Sequence, residues 1–405
     1  MAVSAVVTLS VVGAGCKKKQ EKGGAAGGAG SGGGAGSGGG AGGGGGAGSG
    51  TGAGGGGGAG GCITRLVSAV GDVTLRAACG AVALEGDVVV DGKLTIEPGV
   101  TVTAGKDARL TVGDAAAGSL LASGTADQPI TFTSADKQPG AWQGVVLGAS
   151  NSGSQLTHVV FEFAGRDDGA SLSIDGEAAT VQDSSFRDGK GFGLRVGGEQ
   201  RLSAPIQGCS FERLSGGAMR VTGDVLPWLG ENRHGDATPI AVGDGNAHRD
   251  ATLSAGHYLL LGDVGVERIL PEQAPPVLTI PAGTLLESVP GAELAVGYGE
   301  LGTLRILGTA EKPVRLGAAD QKPGGWTGVR LYDGARAVEL QHVIISFAES
   351  SASEGAVQVR GAAAGTLDAI TFENITGAGV SLPRASAVTV KNLQGGKPAL
   401  LQAKK

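Results

Sequence analysis

The feature that most constrains this chain is a long ungapped internal duplication. LTIEPG at 94–99 returns as LTIPAG at 278–283, and GTADQP at 124–129 returns as GTAEKP at 308–313. ADKQPGAWQG at 135–144 returns as ADQKPGGWTG at 319–328, and LTHVVFEFA at 156–164 as LQHVIISFA at 340–348. Every match has the same offset of 184 positions. Seventy residues without an insertion mean that turn lengths are held by the structure, as they are in a stacked solid. A string of β-sandwich domains, the alternative architecture, would tolerate loops of varying length.

A shorter period runs inside each copy. Phe161, Phe186 and Phe211 are spaced 25 apart, and each precedes an apolar-x-apolar triplet: Leu172-Ser173-Ile174, Leu194-Arg195-Val196 and Met219-Arg220-Val221. Phe372 with Val380-Ser381-Leu382 repeats the pattern in the second copy. Such triplets alternate with period 2, the mark of strands with one buried face, and Gly-Asp, Asp-Gly and Pro-Gly pairs punctuate them. One turn of this kind cannot bury its apolar face alone, whereas stacked turns share a core. The fold expected is therefore all-β: a right-handed parallel β-helix, a single-stranded solenoid of about 13 rungs. The strings "LTIEPGVTV", "GTADQPITFTS", "GAWQG" and "LTHVVFEFAG" together are similar to the bacterial right-handed β-helix repeat proteins, many of them secreted or lipid-anchored.

The first sixty residues carry an address. Residues 2–12 form an apolar run, followed by Gly13-Ala14-Gly15-Cys16 and three Lys. This resembles a bacterial lipoprotein signal, which implies a signal peptide over 1–15, lipidation of Cys16, and placement on the outer membrane or cell surface. The match departs from the family pattern at Gly13, where Leu is usual, and in the lack of a basic residue before the run. Stretch 23–61 holds 27 of the 79 glycines, with only Ala, Ser and Thr besides. Such a tract cannot offset its ordering entropy, so 16–61 is expected to be a disordered tether with a root-mean-square reach of about 35 Å over the 23–61 coil.

Further boundaries follow: an N-terminal cap and the first copy over 62–221, connecting rungs over 222–276, and the second copy over 277–405. Cys62 and Cys79 are spaced for a disulfide in an oxidising compartment. Cys209 reads as a buried, inert thiol. No apolar run reaches the roughly 18 residues of a membrane-spanning helix.

The body from Cys62 onward carries a net charge of −9, a poor match for nucleic acid or polyanionic glycans. No Gly-Lys-Ser/Thr phosphate loop, GxSxG elbow, HExxH or paired CxxC occurs, so no nucleotide, metal or other cofactor is expected. β-Helix families include polysaccharide lyases and hydrolases, which need several charged groups converging from neighbouring rungs. The acidic candidates are Asp167, Asp168, Asp175, Asp183 and Asp188. Against them stands the ladder Glu162, Arg187, Glu212 beside Phe163, Asp188, Arg213, in which opposite charges alternate at rung spacing as a solvent-facing stack requires.

Trp142 and Trp326 occupy matching positions, to pack over a turn or to stack on a sugar. His158 and His342 also match but lie too many rungs apart to share a site. Asp244, Asn246, His248 and Asp250 alternate like a metal loop, yet Arg249 stands where a Ca²⁺ loop needs Gly, so a polar turn is expected. The sequence points to a lipid-anchored cell-envelope scaffold or a glycan- or protein-binding module. Binding would use small outward residues such as Ser173, Gln358 and Ser381. A β-helix glycan-cleaving enzyme is the rival reading.

Overall fold

A computed structural model describes residues 61–401, apart from Asp168, Asp236, Ala352, Ala385 and Lys397. The signal, Cys16, the linker up to residue 60, and Asp168 therefore lie outside the described residues. The described body falls within one compact unit. Among the described residues no helix is long and apolar enough to cross a membrane.

The triplets form short strands, three to a turn. Lys93–Ile96, Thr101–Ala104 and Arg109–Val112 make one turn, and Ser119–Ser123, Ile130–Ser134 and Gly144–Leu147 the next. Each strand pairs in parallel with its equivalent one turn on: Leu94 with Leu120, Val102 with Phe132, Leu110 with Val145. Because strand side chains alternate, every second residue enters the interior, and the stacked turns close around one core. The chain is a right-handed parallel β-helix. We name its sheets by one strand each: the first contains Thr101–Ala104, the second Arg109–Val112 and the third Lys93–Ile96. One ladder, begun by the second sheet, runs unbroken through thirteen strands from Ala69–Val70 to Ala364–Glu373.

Phe132, Phe161, Phe186 and Phe211 stack in the core of the first sheet. Their ring centroids lie 5.2, 5.1 and 5.0 Å apart and their planes within 5°. Each ring is buried, and each such pair contributes about 0.5–1.5 kcal/mol beyond its burial. Gly193 lies under this column. A Cβ there would stand 2.6 Å from the Phe211 ring, so only glycine fits.

Residues 62–81 are the first turn itself. Arg65–Leu66, Ala69–Val70 and Val73–Leu75 join the first, second and third sheets. A Cys62–Cys79 disulfide, with Cα atoms 5.2 Å apart, closes this turn.

At the join between the copies the sheets change partners. The first sheet ends at Arg233–His234. The second continues from Ile240–Gly243 into His257–Leu260 and then into Leu285–Ser288. By the 184-residue offset, Leu285–Ser288 is the copy of Thr101–Ala104, a first-sheet strand. First-sheet sequence of the second copy thus stacks on the second sheet of the first, and the copies are turned by one sheet about the helix axis. One turn at the join is short: Ile240 pairs with Tyr258, 18 positions on, whereas Phe186 pairs with Phe211, 25 positions on. A fourth, seven-stranded sheet begins here at Gly245–Ala247, over the 3₁₀ segment Gly223–Trp228. It runs through Val264–Val266, Glu293–Val296, Gly328–Leu331, Val357–Val359 and Val380–Pro383 to Pro398–Leu401.

Candidate functional site

The first-copy acids occupy corners, where the backbone decides the residue type. His158, Asp183 and Gly208 hold matching places before successive first-sheet strands, with φ of 50°, 49° and 69°. Phe163, Asp188 and Arg213 follow those strands with φ of 61°, 56° and 52°. Both columns are left-handed, a conformation that Asp tolerates better than most residues because its short side chain bonds locally. His342 is another such corner, at φ 46°.

Asp183 and Asp188 thus stand at opposite ends of the strand Ser185–Arg187 and do not converge. Asp188 accepts hydrogen bonds from Arg213 Nε at 2.6 Å and Nη2 at 3.0 Å, which hold its carboxyl below the usual range. Asp167, 82% exposed at its side chain, lies 3.9 Å from the Arg166 guanidinium. Asp175 faces Arg195 at 3.4 Å. The alternating ladder is present, with Arg187 bonded to Glu162 at 2.5 and 2.9 Å.

Trp142 and Trp326 are fully buried, and their Nε1–H groups donate to the carbonyls of Glu162 at 2.8 Å and Ser346 at 2.9 Å. This corrects the sugar-stacking alternative, since neither ring face reaches solvent. A second correction concerns Ser173, Gln358 and Ser381, which point outward but are buried. Arg195 stands beside Ser173 on the next turn, Gln358 accepts from Arg360 Nε at 2.9 Å, and Ser381 Oγ accepts from the Gly355 amide. Cys209 is buried in the core, and burial pushes its thiol up to about 12.

Asp244, Asn246, His248 and Asp250 reach to the following turn. Asp244 and Asp250 accept the amides of Asp263 and Val277, Asn246 donates to Glu267 Oε1, and His248 Nδ1 lies 2.9 Å from the Glu267 carbonyl. Their polar atoms serve to join turns. Among the described residues no group of three His, Cys, Asp or Glu side chains is placed to hold a metal ion.

A different cluster stands on the outer face of the fourth sheet. Register places Asn246, Gly265, Ala295, Arg330, Gln358 and Ser381 in one outward column. Tyr298, 75% exposed, meets Tyr332 edge to face with centroids 4.9 Å apart. The Arg360 guanidinium lies 5.0 Å over the Tyr332 ring. Tyr332 Oη donates to Glu293 Oε1 at 2.9 Å, and burial with that bond pushes the phenol up to about 12. Arg330, only 4% exposed, donates through Nη1 to the carbonyls of Val329, Gly355 and Ala356, and burial lowers its pKa. Tyr332 thus touches both Tyr298 and the Arg360 guanidinium.

Beside the rings opens a recess of about 150 Å³, with Gly265 and Ala295 among its lining and Asn246, Glu267, Glu293 and Tyr298 at its sides. Sequence reasoning passed over these residues, although a signal was present. Tyr298, Arg330 and Tyr332 align at the 184 offset with Asp114, Val146 and Gly148, so one copy holds aromatic and cationic groups where the other has none.

A larger cleft, of about 770 Å³, marks the join of the copies and is lined by Cys209, Leu229, Asn232, Arg233, Leu253 and Pro281, among others. Asn232 is tied to the backbone on both sides there, donating to Ile206 and Gly230 and accepting from the Cys209 amide.

Residues 68–175 match the family model described as a pectate-lyase like beta helix domain. No curated protein matches the chain. A solved structure, that of the Streptococcus pneumoniae surface protein and adhesin PfbA, is similar at 9% identity over 80% of this chain and 92% of that one. Its TM-score of 0.23 is too low to carry an argument about role.

Proposed function

We propose that the chain is a non-enzymatic binding rod of the cell envelope, held to a membrane by a lipid on Cys16 and set off from it by the 23–61 tether. The observation that carries the binding role is the contrast between the two copies. The described first-copy acids sit at separate corners or in ion pairs, whereas the second copy presents fixed, solvent-facing aromatic and cationic side chains around Tyr298 and Tyr332. Catalysis needs acid and base groups within reach of one scissile bond. A preformed aromatic shelf needs only a partner. Glycans and proteins of the cell surface are the partners such a rod would meet.

Membrane fractionation of cells making the full chain tests the anchor. Cys16→Ser should move the protein from the membrane to the soluble fraction, and an unchanged partition overturns the anchoring. Product release from neutral and acidic polysaccharides tests the binding role. Cleavage abolished by Asp183→Ala/Asp188→Ala overturns the non-enzymatic reading.

A further inference from the structure

We propose that the recess beside Tyr298 is a subsite for one neutral sugar residue of a glycan lying along the outer face of the fourth sheet. This deepens the binding role above and rests on it, but it is independent of the lipid anchor. The lining fits a pyranose ring. Ala295 carries only a methyl group, and over its register neighbour Gly265 lies the Asn246 carboxamide, held down by its bond to Glu267 Oε1, so nothing tall stands on this part of the sheet. The Tyr298 ring is three-quarters exposed at the side of the recess and is steadied by its perpendicular contact with Tyr332, so its ring surface is left for the C–H face of a sugar.

The polar groups complete the match. Glu293 and Glu267 present carboxylate oxygens, which accept only, and a neutral sugar brings hydroxyl donors. Glu267 is already oriented by the amides of Gly299 and Glu300 and by Asn246 Nδ2; Glu293 is oriented by Tyr332 Oη. With Asp263 these acids repel a uronate carboxylate, so acidic polymers are excluded from the recess. Continuation of a chain past the first ring follows the Tyr332–Arg360 line, where a stacked guanidinium supplies donors to sugar oxygens. Ile269 and Leu270, exposed at the tip of the preceding turn's loop, add apolar surface; Arg268 fixes that loop through Glu300 and the carbonyls of Pro271 and Gln273.

Affinity electrophoresis of the soluble full-length Cys16→Ser chain, run through gels containing a neutral glucan, mannan or galactan, or polygalacturonate, tests the subsite. At least one neutral polymer should retard the protein. Tyr298→Ala should weaken that retardation at least tenfold, Tyr298→Trp should retain it, and Ala295→Leu, which fills the recess, should abolish it with Tyr298 intact. Unchanged thermal unfolding of each variant separates loss of the site from loss of the fold. No retardation by any neutral polymer, stronger retardation by polygalacturonate, or a Tyr298→Ala chain that binds like the parent overturns the inference. Competition by a lysine-rich peptide but by no sugar also overturns it, and marks the recess as a protein-docking cleft. A chain that binds glycan while Cys16→Ser stays with membranes sinks the anchor alone.

Discussion

Asp183 is where a structural and a catalytic reading of the acidic stretch part most sharply. Its φ of 49° places it in the left-handed region, in line with His158 one turn before and Gly208 one turn after. Glycine adopts that conformation without penalty, Asp at a modest one, and a β-branched residue at about 1–2 kcal/mol. Asp183→Gly should therefore stay within about 0.5 kcal/mol of the parent, relief of the corner being offset by the greater freedom of glycine in the unfolded chain. Asp183→Val should unfold about 1–2 kcal/mol more easily than Asp183→Gly. Urea unfolding of the full chain and both variants, with unchanged slopes, reads the difference directly from the midpoints. Equal midpoints for the Val and Gly variants would refute the corner argument. A Gly variant of parental stability that had lost a polysaccharide-cleaving activity would refute the assignment of Asp183 to structure.

Phe186→Ala, at the middle of the four-ring stack, should cost about 3–5 kcal/mol and Phe186→Leu distinctly less, measured as shifts in urea midpoint; equal costs would mean that the stack adds nothing. Cys209, whose thiol is pushed up to about 12 by burial, should ignore a thiol reagent in the native protein and react fully in urea; fast native labelling would contradict its place in the core. The Asp188 carboxyl is held below the usual Asp range by its hydrogen bonds to Arg213, so its contribution to stability is present above the ordinary Asp pKa of about 3.9 and is lost as pH falls through the lowered folded-state value. Asp188→Asn should accordingly flatten the acid limb of a stability-against-pH curve, and an identical limb would show that the pair contributes nothing.

The fold was legible because both its periods are written in residue types. Alternation of two marks the buried face of each strand, and the spacing of 25 from Phe161 to Phe211 reappears as strand pairing, Phe161 on Phe186 and Phe186 on Phe211. Corner chemistry was half legible. Asp183 and Asp188 were visible as acids, but that they serve backbone conformation at opposite ends of one strand follows only from φ. Ser173, Gln358 and Ser381 misled for a related reason: alternation gives direction, and direction is not exposure where Arg195 stands beside Ser173, Arg330 and Arg360 beside Gln358, and the Gly355 amide on Ser381. Tyr298 and Tyr332 were not legible as a site because no cluster of acidic residues accompanies them in the sequence; what marks them is the divergence between copies, Tyr298, Arg330 and Tyr332 against Asp114, Val146 and Gly148.

The change of partners between the copies was beyond sequence comparison, since an offset of 184 says nothing about how many sheets the chain has passed. It shows only in the pairing, where Ile240–Gly243 passes to His257–Leu260 and then to Leu285–Ser288. Its consequence bears on function. In a continuous ladder each outward side chain is constrained by the residues directly above and below it, which is why Glu162 and Arg187 alternate in sign. The fourth sheet starts afresh at Gly245–Ala247, over a 3₁₀ segment, so no first-copy strand lies in register beneath it to dictate its outer face. Ala295, then Arg330 and Gln358, and the flanking tyrosines could diverge from their first-copy counterparts, and Gly265 of the connecting rungs could be small, without breaking a ladder already in place. The change of partners at the join thus frees a face for recognition on an otherwise repetitive solid, and it places the candidate site on the sheet where the repeat constrains sequence least.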